Sequence, residues 1–419
     1  MTRNQTVLIS GGGVAGPALA FWLRRYGFVP TVVERAPRLR MGGQRIELSG
    51  VGSEALHRMG LLERARAVGG SPPWATLFVG RDNRPVRMPL DGVQDEPGRG
   101  RVTFTIQRGA LGRVLDEAVR DDVPYVYDDS IRQMSQDNED GAGVRVTFES
   151  GAERHFDLVV GADGLYSNVR SLAFGPQERF FEYLGTHMAI FTMPNHLGWR
   201  DTMTFRLWPF RGAAITTFPG NTELEGLLLL RSREELGTRE MSPTQQRSFV
   251  QRVFGRNGWR APELLRGMWH SEDFTFTPST QVRMDTWHTG RVALLGDAAY
   301  CPDPMSGQGA CLALAGAHVL AGELARAGGN HEAGFRAYAA AMRDYVARNQ
   351  EIGMLSTATA APRGGDVTVW LMERAMSTLY PLWELQHRLG LGNGLLSAPN
   401  ALTLADYAPL VGAPTVSRG

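Results

Sequence analysis

Apolar residues along this chain switch between two spacings, and the order of the switches is informative. Thr6–Ser10 is a β-branched apolar run, Ala15–Tyr26 repeats apolar residues at helical spacing, and Thr31–Glu34 returns to a strand pattern. A loop holding Gly42 and Gly43 follows, then a short strand around Ile46 and a helix near Ser53–Met59. Pro72 and Pro73 mark a boundary, and Ala75–Thr105, broken by turn residues, reads as β-hairpins. The pattern then predicts a helix over Ala110–Arg120, a strand at Tyr125–Tyr127, and a β-meander whose runs near Ile131–Met134 and Val144–Phe148 flank a polar turn. Leu158–Gly161 and Val292–Leu295 are short, wholly apolar runs, as expected of strands buried on both faces. Between them, Phe180 to Thr280 alternates β-prone segments with turns around one helix near Pro243–Phe254. Helices over Gln308–Arg326, Glu332–Ile352 and Val369–Leu389 complete the expectation.

The strand–helix–strand opening, the middle buried strand and the late strand with its helix form one α/β unit in separated pieces, interrupted by two β-rich insertions. Its first turn, VLISGGGVAGPAL, sets Gly11, Gly13 and Gly16 at GxGxxG spacing, and Glu34 closes the next strand. That is the fingerprint of a dinucleotide site. Gly11 allows the tight turn, Gly13 lets the backbone reach a pyrophosphate, and Gly16 lets helix and strand approach; Val14 and Ala15 complete the turn. The helix N-terminus offers free N–H groups to phosphates. Glu34 would accept from ribose hydroxyls and repel a 2′-phosphate. No second GxGxxG follows a strand, which disfavours separate flavin and nicotinamide domains.

Composition narrows the classes further. At 419 residues the chain accommodates two or three domains. A formal net charge of +1 argues against nucleic acid or an anionic membrane as the main partner. The longest apolar stretch is interrupted by His318 and too short to span a bilayer, and no basic-then-apolar leader precedes the first strand; the cytoplasm is the expected compartment. Cys301 and Cys311 fit neither a disulfide framework nor a metal spacing, so no metal is expected. Every one of the 44 Lys-or-Arg positions is arginine. This excludes a Walker A lysine, a PLP Schiff base and lysine-assisted flavin halogenation.

Two further segments carry chemistry. FDLVVGADGLYSNVR ends a buried strand in Gly161-Ala162-Asp163-Gly164, with Ser167 and Arg170 beyond it. GRVALLGDAAYCPDPMSGQGACLAL ends a strand in Gly296-Asp297, passes through prolines and opens a helix at Gly307-Gln308-Gly309. The second offers a carboxylate to a ribose or ribityl hydroxyl and a helix N-terminus to a negatively charged ring. Each alone is equally a strand-to-helix turn with a capping Asp. Together, in this order, the three motifs resemble the class A flavoprotein monooxygenases of the para-hydroxybenzoate hydroxylase type. The opening GGGVAGPALAFWLRRYG is most similar to the tetracycline-inactivating monooxygenases and related actinobacterial hydroxylases.

The resemblance implies an α/β (α+β) fold: a Rossmann-like FAD-binding domain with a β-meander from residues 1–72, 106–178 and 282–362, a β-sheet substrate domain from 73–105 and 179–281, and a C-terminal helix and tail over 363–419. It implies FAD, with Gly11, Gly13, Val14, Ala15 and Gly16 at the pyrophosphate, Glu34 on the adenosine ribose and Arg35 beside the adenine. Arg108, Asp297, Pro304, Gly307, Gln308 and Gly309 would meet the ribityl chain and flavin ring, and Arg45 would lie near that ring. Asp163 and Gly164 would sit by the cofactor and contribute to binding transient NAD(P)H. The chain departs from the family where Tyr300 and Cys311 replace the usual His and Asn, and where Asp303-Pro304 stands for paired prolines.

The chemistry so implied is hydroxylation of an aromatic or polyketide-like small molecule through a C4a-hydroperoxyflavin, with NAD(P)H and O2 consumed and no catalytic acid or base assigned. The alternative within the fold is a cyclase whose FAD is structural. The alternating stretch that includes His187, Met203, Phe205, Arg206 and Phe218 would present one face to a broad apolar substrate pocket, or equally to the sheet's own core. Arg206 reads as a partner for an acidic or phenolate substrate or as part of an exposed salt bridge, and His187 as a base or a structural histidine.

Overall fold

Backbone ladders bring the separated α/β pieces into one six-stranded sheet. The computed structural model describes residues 6–39, 42–79, 83–88, 95–137, 143–375, 378 and 397–410. Strand order is His288–Thr289, Val292–Leu294, Leu158–Gly161, Thr6–Ser10, Val29–Glu34 and Tyr125–Tyr127. All pairings are parallel except the antiparallel edge strand His288–Thr289. Val7, Leu8, Ile9, Leu158, Val159, Val160, Val292, Ala293 and Leu294 are completely buried, as a parallel sheet covered on both faces requires. Helices Ala15–Arg25 and Gly309–Arg326 pack against each other. The antiparallel meander forms from Ile131–Asp137, Gly143–Phe148 and Glu153–Phe156.

A seven-stranded sheet gathers the β-rich insertions in the order Thr275–Val282, Phe181–Pro194, Glu223–Arg231, Arg211–Thr217, Thr202–Trp208, Trp74–Val79 and Arg84–Met88. Only part of the expected Ala75–Thr105 hairpins joins it. Phe104–Gln107 pairs instead with Arg45–Leu48, antiparallel, beside the α/β unit. One face of the large sheet is covered by helices Pro243–Phe254 and Ala261–His270, through Phe191, Met193, Ile215 and Leu228 against Val250, Phe254, Leu264 and Met268. The other face, with Met188, Ile190 and Leu229, meets Met305 and Ala361 from the α/β side.

Several helices differ from their sequence expectation. Leu62–Ala67 and Ala261–His270 were not foreseen; the first is too short for a periodic signal, and the second carried a signal in the proline of its first turn. The helix expected from Ala110 starts at Arg108 and ends at Glu117. The helix expected to stop at Ile352 runs from His331 to Ala360, because no proline intervenes before Pro362. Of the expected Val369–Leu389 helix, residues 366–375 are helical, with Val369 and Met372 packed on Leu77, Phe205 and Leu207; the rest lies almost wholly outside the described residues. Among the described residues no helix is long and apolar enough to cross a membrane, and no cluster of His, Cys, Asp or Glu is grouped to hold a metal ion.

The end of the long helix touches the large sheet at Gly212, where a Cβ would lie 2.0 Å from the Ala360 carbonyl oxygen. A side chain there must push helix and sheet apart. Gly212→Ala is expected to destabilise the protein by roughly 1–3 kcal/mol, read as a lowered melting temperature; an unchanged melting temperature contradicts this contact.

Candidate functional site

Three turns, one from each motif, touch at the C-terminal edge of the parallel sheet. Gly11, at φ 112°, packs so closely on the Ala162 turn that a Cβ would meet the Ala162 carbonyl oxygen at 2.5 Å. A Cβ on Gly16 would lie 1.9 Å from the Gly11 carbonyl oxygen. Gly296, at φ 66°, faces Ala15 and Ala313 within ordinary contact distance. Gly13 is different: nothing lies within 4 Å of where its Cβ would stand. Gly11 and Gly16 therefore serve the protein's own packing, whereas Gly13 keeps a strip of backbone bare.

Two helices open onto this place without a side-chain cap. Helix Ala15–Arg25 follows Val14, and Gly309–Arg326 follows Gln308; neither residue gives a capping hydrogen bond. Their first-turn N–H groups remain available to an anionic or polar ligand. Glu34 lies beside the first, its Oε2 accepting from Gly12 N–H at 2.7 Å and its Oε1 from Ala36 N–H at 2.9 Å. Arg35 is exposed next to it.

Asp297 sits against the second helix, its Oδ1 3.3 Å from the position a Gly309 Cβ would take. Burial pushes its carboxyl above the usual range, while the nearby Arg108 charge and the Cys301 thiol pull it down. A desolvated carboxylate with one thiol donor retains acceptor capacity for ligand hydroxyls. Arg108 is exposed, and its backbone N–H donates to the Gln44 carbonyl at 3.0 Å. Arg45 Nε and Nη1 and Gln308 Oε1 are buried polar atoms with no hydrogen-bond partner among the described residues. Bare backbone, two uncapped helices, a desolvated carboxylate and the orphaned Gln308 oxygen together fit a dinucleotide with a polar ring system such as FAD.

The Asp163 turn differs in character. Its carboxylate is already engaged: Oδ1 accepts from Ser167 Oγ at 2.5 Å, and Oδ2 from the N–H groups of Asn168 at 2.9 Å and Val169 at 3.1 Å. Ser167 in turn caps helix Asn168–Phe174 through Arg170 N–H. Burial nevertheless pushes the Asp163 carboxyl upward. Gly164, at φ 84°, has open space around its Cβ position.

The loop Asp303–Gly309 reaches from the α/β unit to the large sheet. Asp303 occupies left-handed backbone at φ 79°, and its carboxylate accepts from Ser279 Oγ, Thr357 Oγ1 at 3.2 Å and Met305 N–H at 2.8 Å. Strand, long helix and loop meet on this single carboxylate, whose pKa burial raises to about 6. Pro304 and Gly307, the latter at φ 67°, complete the turn that leads into Gln308 and Gly309. Sequence reading singled out neither Ser279 nor Thr357, because isolated Ser and Thr carry no spacing signal.

The five candidate substrate residues fall on both faces of the large sheet. Met203 and Phe205 point to one side of the sheet, and Phe205 lies beneath Val369 and Met372. His187 and Arg206 alternate to the other side, opposite Leu230 and Ala213. His187 is fully buried; its Nε2 accepts from Leu236 N–H at 3.2 Å, and its Nδ1 lies 2.9 Å from Tyr183 Oη. Desolvation holds its pKa down to about 4, so it is a neutral structural histidine. Arg206 forms not an exposed but a buried ion pair, 2.8 Å from Glu373. Its Nη1 also donates to the Phe78 carbonyl at 2.8 Å. Phe218 is buried at the turn after strand Arg211–Thr217.

The family model described as FAD binding domain matches residues 4–351. An uncharacterised protein of Mycobacterium tuberculosis is 42% identical over 349 residues, covering 83% of this chain and 92% of its own length. A protein of Legionella longbeachae named flavin-dependent monooxygenase is 33% identical over 364 residues, covering 84% of this chain and 89% of its own. The crystal structure of tetracycline destructase Tet(55) superposes with a TM-score of 0.79 at 29% identity, covering 97% of this chain and 100% of that one.

Two substitutions separate packing glycines from ligand glycines. Gly13→Ala should leave the apoprotein's melting temperature unchanged and weaken FAD binding about tenfold or more, whereas Gly16→Ala should destabilise the apoprotein itself by roughly 1–3 kcal/mol. Fluorescence titration with FAD and thermal melts of both variants check this; a Gly13→Ala protein with full FAD affinity contradicts the bare-backbone reading. Asp303 supplies a pH test. A raised folded pKa means the proton binds tighter in the folded state, so the stability Asp303 contributes is greatest below the ordinary value near 3.8 and is lost as pH rises to about 6. The loss amounts to about 3 kcal/mol, so Asp303→Asn should flatten the stability curve between those limits, measured by urea unfolding. Parallel curves for the two proteins contradict it.

Proposed function

This chain belongs to the FAD binding domain family and is an FAD-dependent monooxygenase, and we propose that it hydroxylates an aromatic or polyketide-like small molecule with NAD(P)H as reductant and O2 as oxidant. The observation that carries the proposal is the joint one at the sheet edge: Gly13 bare, both helix N-termini uncapped, and the desolvated Asp297 carboxylate beside the second of them. The solved relative's name, a tetracycline destructase, supports a polyketide-like ring as the kind of compound accepted.

In this reading Gly11 to Gly16 and the first helix hold the pyrophosphate, and Glu34 and Arg35 hold the adenosine. Asp297 and Arg108 take the ribityl hydroxyls, and Pro304, Gly307, Gln308 and Gly309 border the ring. The flavin supplies the electrophilic oxygen. The protein's own part is to bind, orient and keep water out. Ile190, Leu227 and Met305 form an apolar wall between the loop and the large sheet, which limits water near the ring. Asp303 fixes that loop to Ser279 and Thr357, and with it the backbone that would border the ring. The large sheet then serves as the substrate half of the molecule. His187, neutral and sealed on the far face, takes no part in proton transfer.

The test is direct. Purified protein should be yellow and, under air, should oxidise NAD(P)H faster when aromatic polyketides or tetracycline-like compounds are added, with one oxygen atom gained by the product in mass spectra. Product formed without nicotinamide or O2 would favour a structural flavin and a cyclase. A colourless protein that takes up no FAD overturns the assignment at its root.

A further inference from the structure

One acidic side chain interrupts the apolar face that looks toward the flavin-bordering loop. In strand Glu223–Arg231, Leu224 and Leu228 point to the helix-covered side, while Glu225 alternates onto the face shared by Leu227 and Leu229, the face that meets Met305. Its cross-strand neighbours are Thr192 and Thr216. Across from it stands Arg45, on the strand that carries the Gly42-Gly43 loop into the α/β unit.

The two residues meet in an incomplete way. Arg45 N–H donates to Glu225 Oε2 at 3.0 Å, which fixes the carboxylate. The Arg45 guanidinium bears on that carboxylate's charge and offsets part of its burial, and Asp273 opposes it from the sheet edge. Yet Nε and Nη1 of Arg45 are buried and unpartnered among the described residues. Glu225 Oε1 likewise receives no donor from them. Two buried, idle donors on Arg45 are costly unless a ligand completes them, and Glu225 Oε1 stands beside them as an acceptor with no donor among the described residues.

We propose that Arg45 and Glu225 read a donor and an acceptor held side by side on the substrate, a phenolic or enolic hydroxyl given to Glu225 and the adjacent carbonyl oxygen taken by Arg45. The inference rests on the hydroxylase reading and narrows its substrate class to neutral rings carrying a hydroxyl and a carbonyl on neighbouring carbons. The pair binds and positions; it transfers no proton in the reaction. Thr192 and Thr216 flank Glu225 on the neighbouring strands, and Ile190 and Leu227 lie on the same face as an apolar surface for such a ring. Sequence reading missed Glu225, although an acidic residue inside ELEGLLLL was the available signal.

The probes are 3-hydroxyflavone, which carries this donor–acceptor pair, and its methyl ether 3-methoxyflavone, which lacks the donor. Each is titrated into the FAD-loaded protein and followed by the perturbation of flavin absorbance. The wild type should prefer the hydroxy compound by roughly ten- to hundredfold, the worth of a hydrogen bond to a buried charge. Glu225→Ala should abolish the preference and Glu225→Gln should leave an intermediate one, with FAD content and melting temperature held in the Gln variant. Absence of the preference in the wild type, or its survival in both variants, overturns the proposal. The two readings fail separately: a preference found while no tested compound stimulates NAD(P)H oxidation refutes the hydroxylase reading and leaves the recognition pair intact.

Discussion

Main-chain hydrogen bonding between strands far apart in sequence is the constraint on which the site depends. Thr6–Ser10 lies in parallel register with Leu158–Gly161, and that strand with Val292–Leu294, so the residues following each strand emerge at one edge. None of the three turns is a site alone. The ladder sets their separation, and the absence of Cβ atoms at Gly11 and Gly16 permits the final approach. Complete burial of the apolar residues in these strands makes this alignment hard to shift, because slippage exposes apolar surface and leaves amides unpaired. Chemistry is thereby placed on loops whose roots are the most rigid part of the molecule.

The second level of organisation is contact across the two sheets. Gly212 against Ala360, Met305 against Met188, Ile190 and Leu229, and Asp303 against Ser279 and Thr357 are all joints between the α/β unit and the large sheet. Each is different in kind: a steric fit, an apolar contact and a shared buried carboxylate. Arg206 with Glu373 adds an ion pair that ties the large sheet to helix 366–375. A buried pair contributes little net stability but penalises its own separation strongly. These joints fix how the large sheet stands over the sheet edge where the three turns meet.

Much of this was legible in the residues. The split α/β unit, the meander and the three motif turns follow from apolar runs ending in glycine, a signal that depends only on local spacing. The large sheet was legible as strands but not as faces. His187 and Met188 are adjacent and both apolar-facing in composition, so alternation alone gives no sign of which side receives helices Pro243–Phe254 and Ala261–His270. Arg206 looked like a surface charge because Glu373, its partner, lies 167 residues away. The incomplete Arg45–Glu225 contact was hidden for the same reason. Long-range polar pairing leaves no period in sequence.

The carboxylate of Asp163, spent on Ser167 and the amides of Asn168 and Val169, carries a warning for genetics. A variant at this position found inactive in a phenotypic screen would invite blame on the reductant step. The chain would also be missing the clasp that starts a helix, and that loss would show as a fall in cellular protein level. Abundance and turnover must be scored separately before any defect in this turn is credited to catalysis.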